Sequence, residues 1–286
     1  MNQSERILIP LFERFIKDTY KGRRLKADGS RIKNQTVRNY EYILDYLKEF
    51  EVIEDKPIRI KTINGTNKRI FLAEKKYWKK FYLGFTNYLY TKKAFHDNYV
   101  GMVIKIIRIF FNYLNKDLGI RTGEFYKDFY VSREDVPIIT LLPDQLQFLI
   151  NDSEFDRQLT PALKKSKDIF VFGCTVALRV SDLFSIQFND ILSYGQAYYL
   201  PVKTIKTGTE VRIKLPEYAI RIAKKFRLAS KKRNQLFPPI PRTRFNNHLK
   251  QIAELAGWTE EIGKFRNRRG KAFEEAFRRG SGRRRL

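Results

Sequence analysis

The chain has 286 residues, 43% of them hydrophobic, which is long and apolar enough for two domains and argues against a mostly disordered polypeptide. Its formal charge is +26, from 57 basic and 31 acidic side chains, and such a field repels itself unless a polyanion neutralises it. One cysteine excludes an internal disulfide framework, and two histidines with one cysteine exclude a histidine/cysteine zinc site of the usual kind.

No apolar run reaches membrane-span length, and Met1 to Glu5 do not open a signal peptide. No C-x-x-C, H-E-x-x-H or P-loop pattern is present, and no acidic cluster proposes a magnesium site. The expectation is a cytoplasmic protein with no metal and no cofactor. Nucleic acid is its default partner, bound with an affinity that falls steeply with salt.

In chain order, residues 5–20 carry Ile7, Leu8, Leu11, Phe12, Phe15 and Ile16 at helical spacing. A basic loop follows, over 21–33. Thr36 is placed to cap a second helix whose face holds Val37, Tyr40, Leu44 and Leu47. Ile58 to Lys61 and Lys68 to Phe71 flank Asn64-Gly65-Thr66, a hairpin signal. A third helix is expected from about 73 to 90 and a fourth from about 98 to 114. The first domain, 1–120, thus reads as a helical bundle with one small hairpin. Residues 121–140 read as a linker, since helical periodicity is lost from Leu118 onward.

Pro143 starts another helix, and 161–183 hold one or two more, with Gly173 as a break. Strand signals lie at 197–200 and 211–215. Pro216 opens a helix to about Phe226, and a last helix runs over 246–256 to Gly257. These make a second domain over 141–263. From Lys264 to Leu286 there are ten basic and two acidic residues, interrupted by three glycines, and this tail is expected to be disordered. The fold class is mainly α with small β-hairpins or sheets.

Two segments carry chemistry. Gly173-Cys174-Thr175-Val176-Ala177-Leu178-Arg179-Val180-Ser181-Asp182-Leu183 sets one arginine in an apolar, helix-like run. An ion pair with Asp182, three residues on, is the plain structural reading. Tyr198 to Pro216 reads as strand, turn and strand, with Lys206 immediately before Thr207-Gly208 and Lys203 as the second choice of lysine.

Thr175 to Leu183 resembles the first arginine box of tyrosine recombinases, the phage and mobile-element integrase family, with Asp182 where glutamate is usual. Lys206-Thr207-Gly208 is similar to that family's lysine hairpin. Leu236-Phe237-Pro238 and Phe245 to Gly257 resemble the stretch before its second arginine box. The resemblance runs in order over nearly the whole chain. It implies a core-site DNA-binding domain followed by a catalytic domain, the two clamping duplex DNA. It implies DNA recombination or integration through a phosphotyrosyl link. Arg179 would then clamp the phosphate and Lys206 act as general acid.

Downstream the pattern departs. No histidine follows His248 and no tyrosine follows Tyr218. Trp258 reads as a core or loop aromatic, His248 as a surface or cap residue, and Tyr218 as ordinary packing. Neither Arg268 nor Arg269 is assigned as a clamp. The catalytic domain is therefore expected to be incomplete, cut short before the second box. This chain is expected to bind duplex DNA without strand transfer.

Candidate phosphate contacts are Lys92, Lys93, Lys105, Arg108, Lys231, Lys232, Arg233, Arg244 and Lys250. Self-association or a complete integrase partner on DNA is the further partner expectation. The alternatives are a non-catalytic DNA-binding regulator derived from a recombinase, or an RNA-associated basic protein.

Overall fold

The computed structural model describes residues 6–63, 67–136, 138, 140–203, 210–229 and 234–278. The described chain is predominantly helical with small antiparallel sheets. It divides into two units, Met1–Val136 with Phe265–Glu274, and Pro137–Lys264 with Glu275–Leu286.

The first unit opens with β1 (Arg6–Ile7) and α1 (Leu8–Tyr20). Leu8, Phe12 and Phe15 recur at helical spacing and are all buried, so α1 turns this face inward. In α2 (Asn34–Glu54) the N-cap is Lys33, which makes no side-chain cap bond, so Thr36 lies inside the first turn and does not cap it. β2 (Arg59–Ile60) pairs antiparallel with β1, Arg6 opposite Ile60.

The hairpin expected over 58–71 does not form, because Lys68 to Phe71 are the first turn of α3 (Lys68–Thr91). The cause is Asn67. Its side chain accepts hydrogen bonds from the amides of Arg69 and Ile70 at 3.1 and 3.2 Å, starting the helix five residues before 73. The expected turn, Asn64-Gly65-Thr66, lies outside the described residues.

α4 (Asp97–Lys116) completes the bundle. Its aromatic core includes Trp78 edge-on to Phe111, with ring centroids 4.8 Å apart. Much of the stretch read as a linker belongs to this core. A 3-10 turn at Phe125–Asp128 helps bury Ile120, Phe125, Tyr126 and Phe129. These apolar residues lack helical period because their segment wraps the bundle. At Gly101 a Cβ would stand 1.9 Å from the Ser132 carbonyl oxygen, so α4 and this segment meet backbone to backbone.

Asp18 is the polar anchor of the bundle, 6% exposed. The Tyr113 hydroxyl donates to it at 2.6 Å and the Arg23 guanidinium at 3.0 Å. The Tyr113 bond, with Arg23 and Arg14, holds its carboxyl below the usual carboxylate range against the opposing effect of burial. A carboxyl lowered on folding stabilises above its unfolded pKa and loses that contribution as pH falls through its folded pKa. Asp18→Asn is therefore expected to cost about 1–3 kcal/mol at pH 7. The deficit should narrow below about pH 4. Urea midpoints at pH 7 and pH 3 check this, and a deficit that does not narrow would count against the assignment.

The second unit carries α5 (Pro143–Asn151), α6 (Ser153–Gln158), α7 (Pro161–Val176) and the single turn α8 (Val180–Leu183). α7 runs through Gly173 without a break. That glycine serves close packing, since a Cβ there would meet Leu183 at 3.0 Å. The break comes at Ala177, in the left-handed region at φ 51°.

β3 (Leu192–Tyr194), β4 (Ala197–Lys203) and β5 (Glu210–Leu215) form an antiparallel sheet in that order. α9 (Glu217–Ala229) and α10 (Arg242–Leu255) pack on α7. α10 starts at Arg242, earlier than expected, after Pro241 at its N-cap.

The expected disorder from 264 is replaced over much of its length by β6 (Glu261–Arg268) and β7 (Lys271–Arg278). Residues 279–286 lie outside the described residues. Among the described residues no helix is long and apolar enough to cross a membrane.

Candidate functional site

Arg179 does not sit within a helix. The left-handed Ala177 ends α7, and Arg179, extended at φ −64° and ψ 150°, is the N-cap of α8. Its carbonyl accepts the Leu183 amide at 2.8 Å, while its side chain is exposed. Val176 before it and Leu183 after it are buried at 4% and 3%. The corner is therefore pinned on both sides by buried apolar residues, while Arg179 itself stays exposed.

Beneath the corner Phe172 is fully buried, with its ring 5.1 Å from that of Phe237. Phe184 packs edge-on to Phe245 of α10 at 5.7 Å. Asp182, the expected helical partner of Arg179, is itself buried at 1%.

The hairpin lysine Lys206 lies outside the described residues, as do Lys231, Lys232 and Arg233. The ladder leading to that turn is described from Tyr198 opposite Leu215 to Lys203 opposite Glu210. Lys203 pairs with Glu210 at 3.8 Å across the last rung, both side chains well exposed. That engages Lys203 with its strand partner.

Two further residues have definite partners. His248 Nδ1 is hydrogen-bonded to the buried Ser166 hydroxyl at 2.7 Å, tying α10 to α7. It is a half-buried inter-helix contact rather than a helix cap, because α10 turns this face toward α7. The Thr175 hydroxyl donates to the Val171 carbonyl at 2.9 Å. With that proton committed, it accepts the Tyr218 hydroxyl at 2.9 Å. Trp258 packs against Phe148 with ring centroids 6.0 Å apart.

The other candidate cations differ in exposure. Lys92, Lys105 and Arg244 are exposed, and Arg108 and Lys250 are half-buried. Lys93 is ion-paired with Glu49 and lies over the rings of Tyr46 and Tyr88 at 5.4 and 5.9 Å. It is therefore committed within the first unit. Reading the sequence for α3 missed a denser row, Lys75, Lys76, Lys79 and Lys80, all exposed on one helix. The signal was there in the paired lysines at four-residue spacing, which share a helix face.

No family model and no curated protein sequence matches the chain. Solved structures do. A lambda integrase dimer bound to a COC' core site superposes with a TM-score of 0.60 at 14% identity, covering 89% of this chain and 65% of that one. XerH site-specific recombinase bound to palindromic difH substrate gives 0.55 at 11% identity, covering 87% and 78%. The Tn1549 transposon integrase (aa 82-397) in complex with circular intermediate DNA gives 0.52 at 12% identity, covering 89% and 80%. The chain thus has the tyrosine-recombinase/integrase fold, and it spans about two-thirds of the lambda integrase chain.

Proposed function

We propose that this polypeptide binds duplex DNA noncovalently on a recombinase fold, with Arg179 gripping a backbone phosphate. The observation that carries the reading is the corner itself. An exposed arginine stands on backbone pinned by Val176 and Leu183, which fixes the point from which its planar donor fork can reach an anion. The net charge of +26 supplies the long-range attraction. The neighbours in fold include a lambda integrase on a core site, XerH on its difH substrate and the Tn1549 integrase on circular intermediate DNA.

Strand transfer by this fold would need a nucleophile whose pentavalent transition state Arg179 could stabilise and a leaving oxygen that Lys206 could protonate. No tyrosine follows Tyr218 in the 286 residues, and the Tyr218 hydroxyl is hydrogen-bonded to that of Thr175. The reading is therefore binding without cleavage by these residues. In it, the helical first domain supplies phosphate contacts and the second supplies Arg179.

Arg179→Ala is expected to weaken duplex affinity about tenfold to a hundredfold, the value of one charge-assisted hydrogen-bonded contact. Fluorescence anisotropy with duplex, single-stranded DNA and heparin as titrants checks it. A folded Arg179→Ala variant with unchanged duplex affinity would refute the assignment. Equal affinity of the wild type for all three polyanions would refute the duplex reading.

A further inference from the structure

We propose that Asp97 and Glu134 form a receptor for an arginine-glycine β-turn, that the chain's own Arg266–Gly270 segment occupies it, and that docking withholds the Arg266 and Arg268 guanidiniums from polyanions. Both halves of this device lie in the first unit.

The turn joins β6 to β7 through Arg269 at φ 55° and Gly270 at φ 72°. Two successive left-handed residues make the type I′ turn that matches strand twist. In this conformation the amides of Arg269 and Gly270 each reach one oxygen of Asp97, at 2.7 and 3.0 Å. Asp97 is 5% exposed. It is a carboxylate at the first position of α4 whose two oxygens are each engaged by a turn amide.

Glu134 is the second jaw, with a side chain 5% exposed. It accepts Arg266 Nε at 3.1 Å and also the Asn267 amide. Its own position is built. Asn98 exchanges two hydrogen bonds with the Glu134 backbone, both 2.9 Å, and the Gly101–Ser132 approach holds the same segment against α4. In the docked state these bonds replace water that burial removes from the two carboxylates, Asp97 and Glu134.

The arginines are consumed by this geometry. Arg266 is 17% exposed and paired with Glu134. Arg268 is half-buried and donates to the Ala94 carbonyl at 3.0 Å, with its guanidinium 5.2 Å from the Phe273 ring. Arg269 donates to Asn87 at 2.5 Å but stays exposed, so it is not among those withheld. The tail thus carries positive charge that the fold keeps in reserve.

Gly270→Val tests this without altering charge. The position has open space around it, so the substitution acts only through its left-handed backbone. Site-resolved trypsin cleavage at Arg266 and Arg268, read by mass spectrometry on the full chain, is expected to be about tenfold faster in the variant. The variant is also expected to elute from heparin at higher salt. Asp97→Asn, checked by circular dichroism, should give the same faster cleavage from the receptor side. Should it fail to fold, Gly270→Val still decides. Equal cleavage of wild type and Gly270→Val would overturn the docking. Faster cleavage with unchanged heparin elution would overturn the withholding. Neither readout uses duplex DNA, so the failure of this proposal and of the DNA-binding reading are distinguishable.

Discussion

Raising salt from about 50 to about 200 mM is expected to weaken duplex binding by roughly three to five orders of magnitude. It follows from counterion release, in which each phosphate neutralised by a cation contributes about −0.9 to the slope of log affinity against log salt. The exposed row of Lys75, Lys76, Lys79 and Lys80, with Lys92, Lys105, Arg179 and Arg244, offers eight cations, and six or more contacts would give that range. Anisotropy titrations at four salt concentrations measure the slope. Replacing Lys75 and Lys79 by glutamine should make it shallower by about two. A wild-type slope near zero would mean that the charge is only a solvated surface.

The second large effect concerns the support of Arg179. Phe172→Ala is expected to destabilise the second unit by about 3–5 kcal/mol. Phe172 is fully buried, and its ring meets Phe237, which also meets Phe226 at 5.0 Å. Truncation leaves a cavity one turn before Val176, where the corner begins. The two tryptophans make the measurement clean, since Trp78 lies in the first unit and Trp258 in the second. In a Trp78→Phe background, Trp258 fluorescence reports the second unit alone during urea unfolding. The expected result is a lowered midpoint with duplex affinity reduced in parallel. An unchanged midpoint would mean that the core beneath Arg179 tolerates the cavity.

The architecture was legible wherever apolar residues kept one period. Phe12 and Phe15 in α1 and Ile106, Ile107 and Phe110 in α4 repeat at helical spacing because each helix buries one face. The residues around Arg179 were legible as a motif, but their backbone was not. Ala177 takes a left-handed conformation although alanine has no preference for it, so tertiary packing decides the break. The start of α3 was hidden for a different reason. Asn67 can serve a turn or a cap, and the nearby Asn-Gly pair favoured the turn.

The C-terminal hairpin was least legible. Its strands alternate charged residues with few apolar ones, so period-2 hydrophobicity is weak. Its turn is Arg-Gly where Asn-Gly would have given a signal. What orders it is two buried carboxylates, 133 and 172 positions away in the chain, and no local pattern contains that information.

Whether these 286 residues hold duplex DNA without joining to it is decided with a suicide duplex substrate. Incubated with the wild-type chain at low salt, the substrate should shift in a native gel and release fully on denaturation. A protein–DNA product that survives denaturation, and that disappears on Tyr218→Phe, would contradict the account and make Tyr218 the nucleophile.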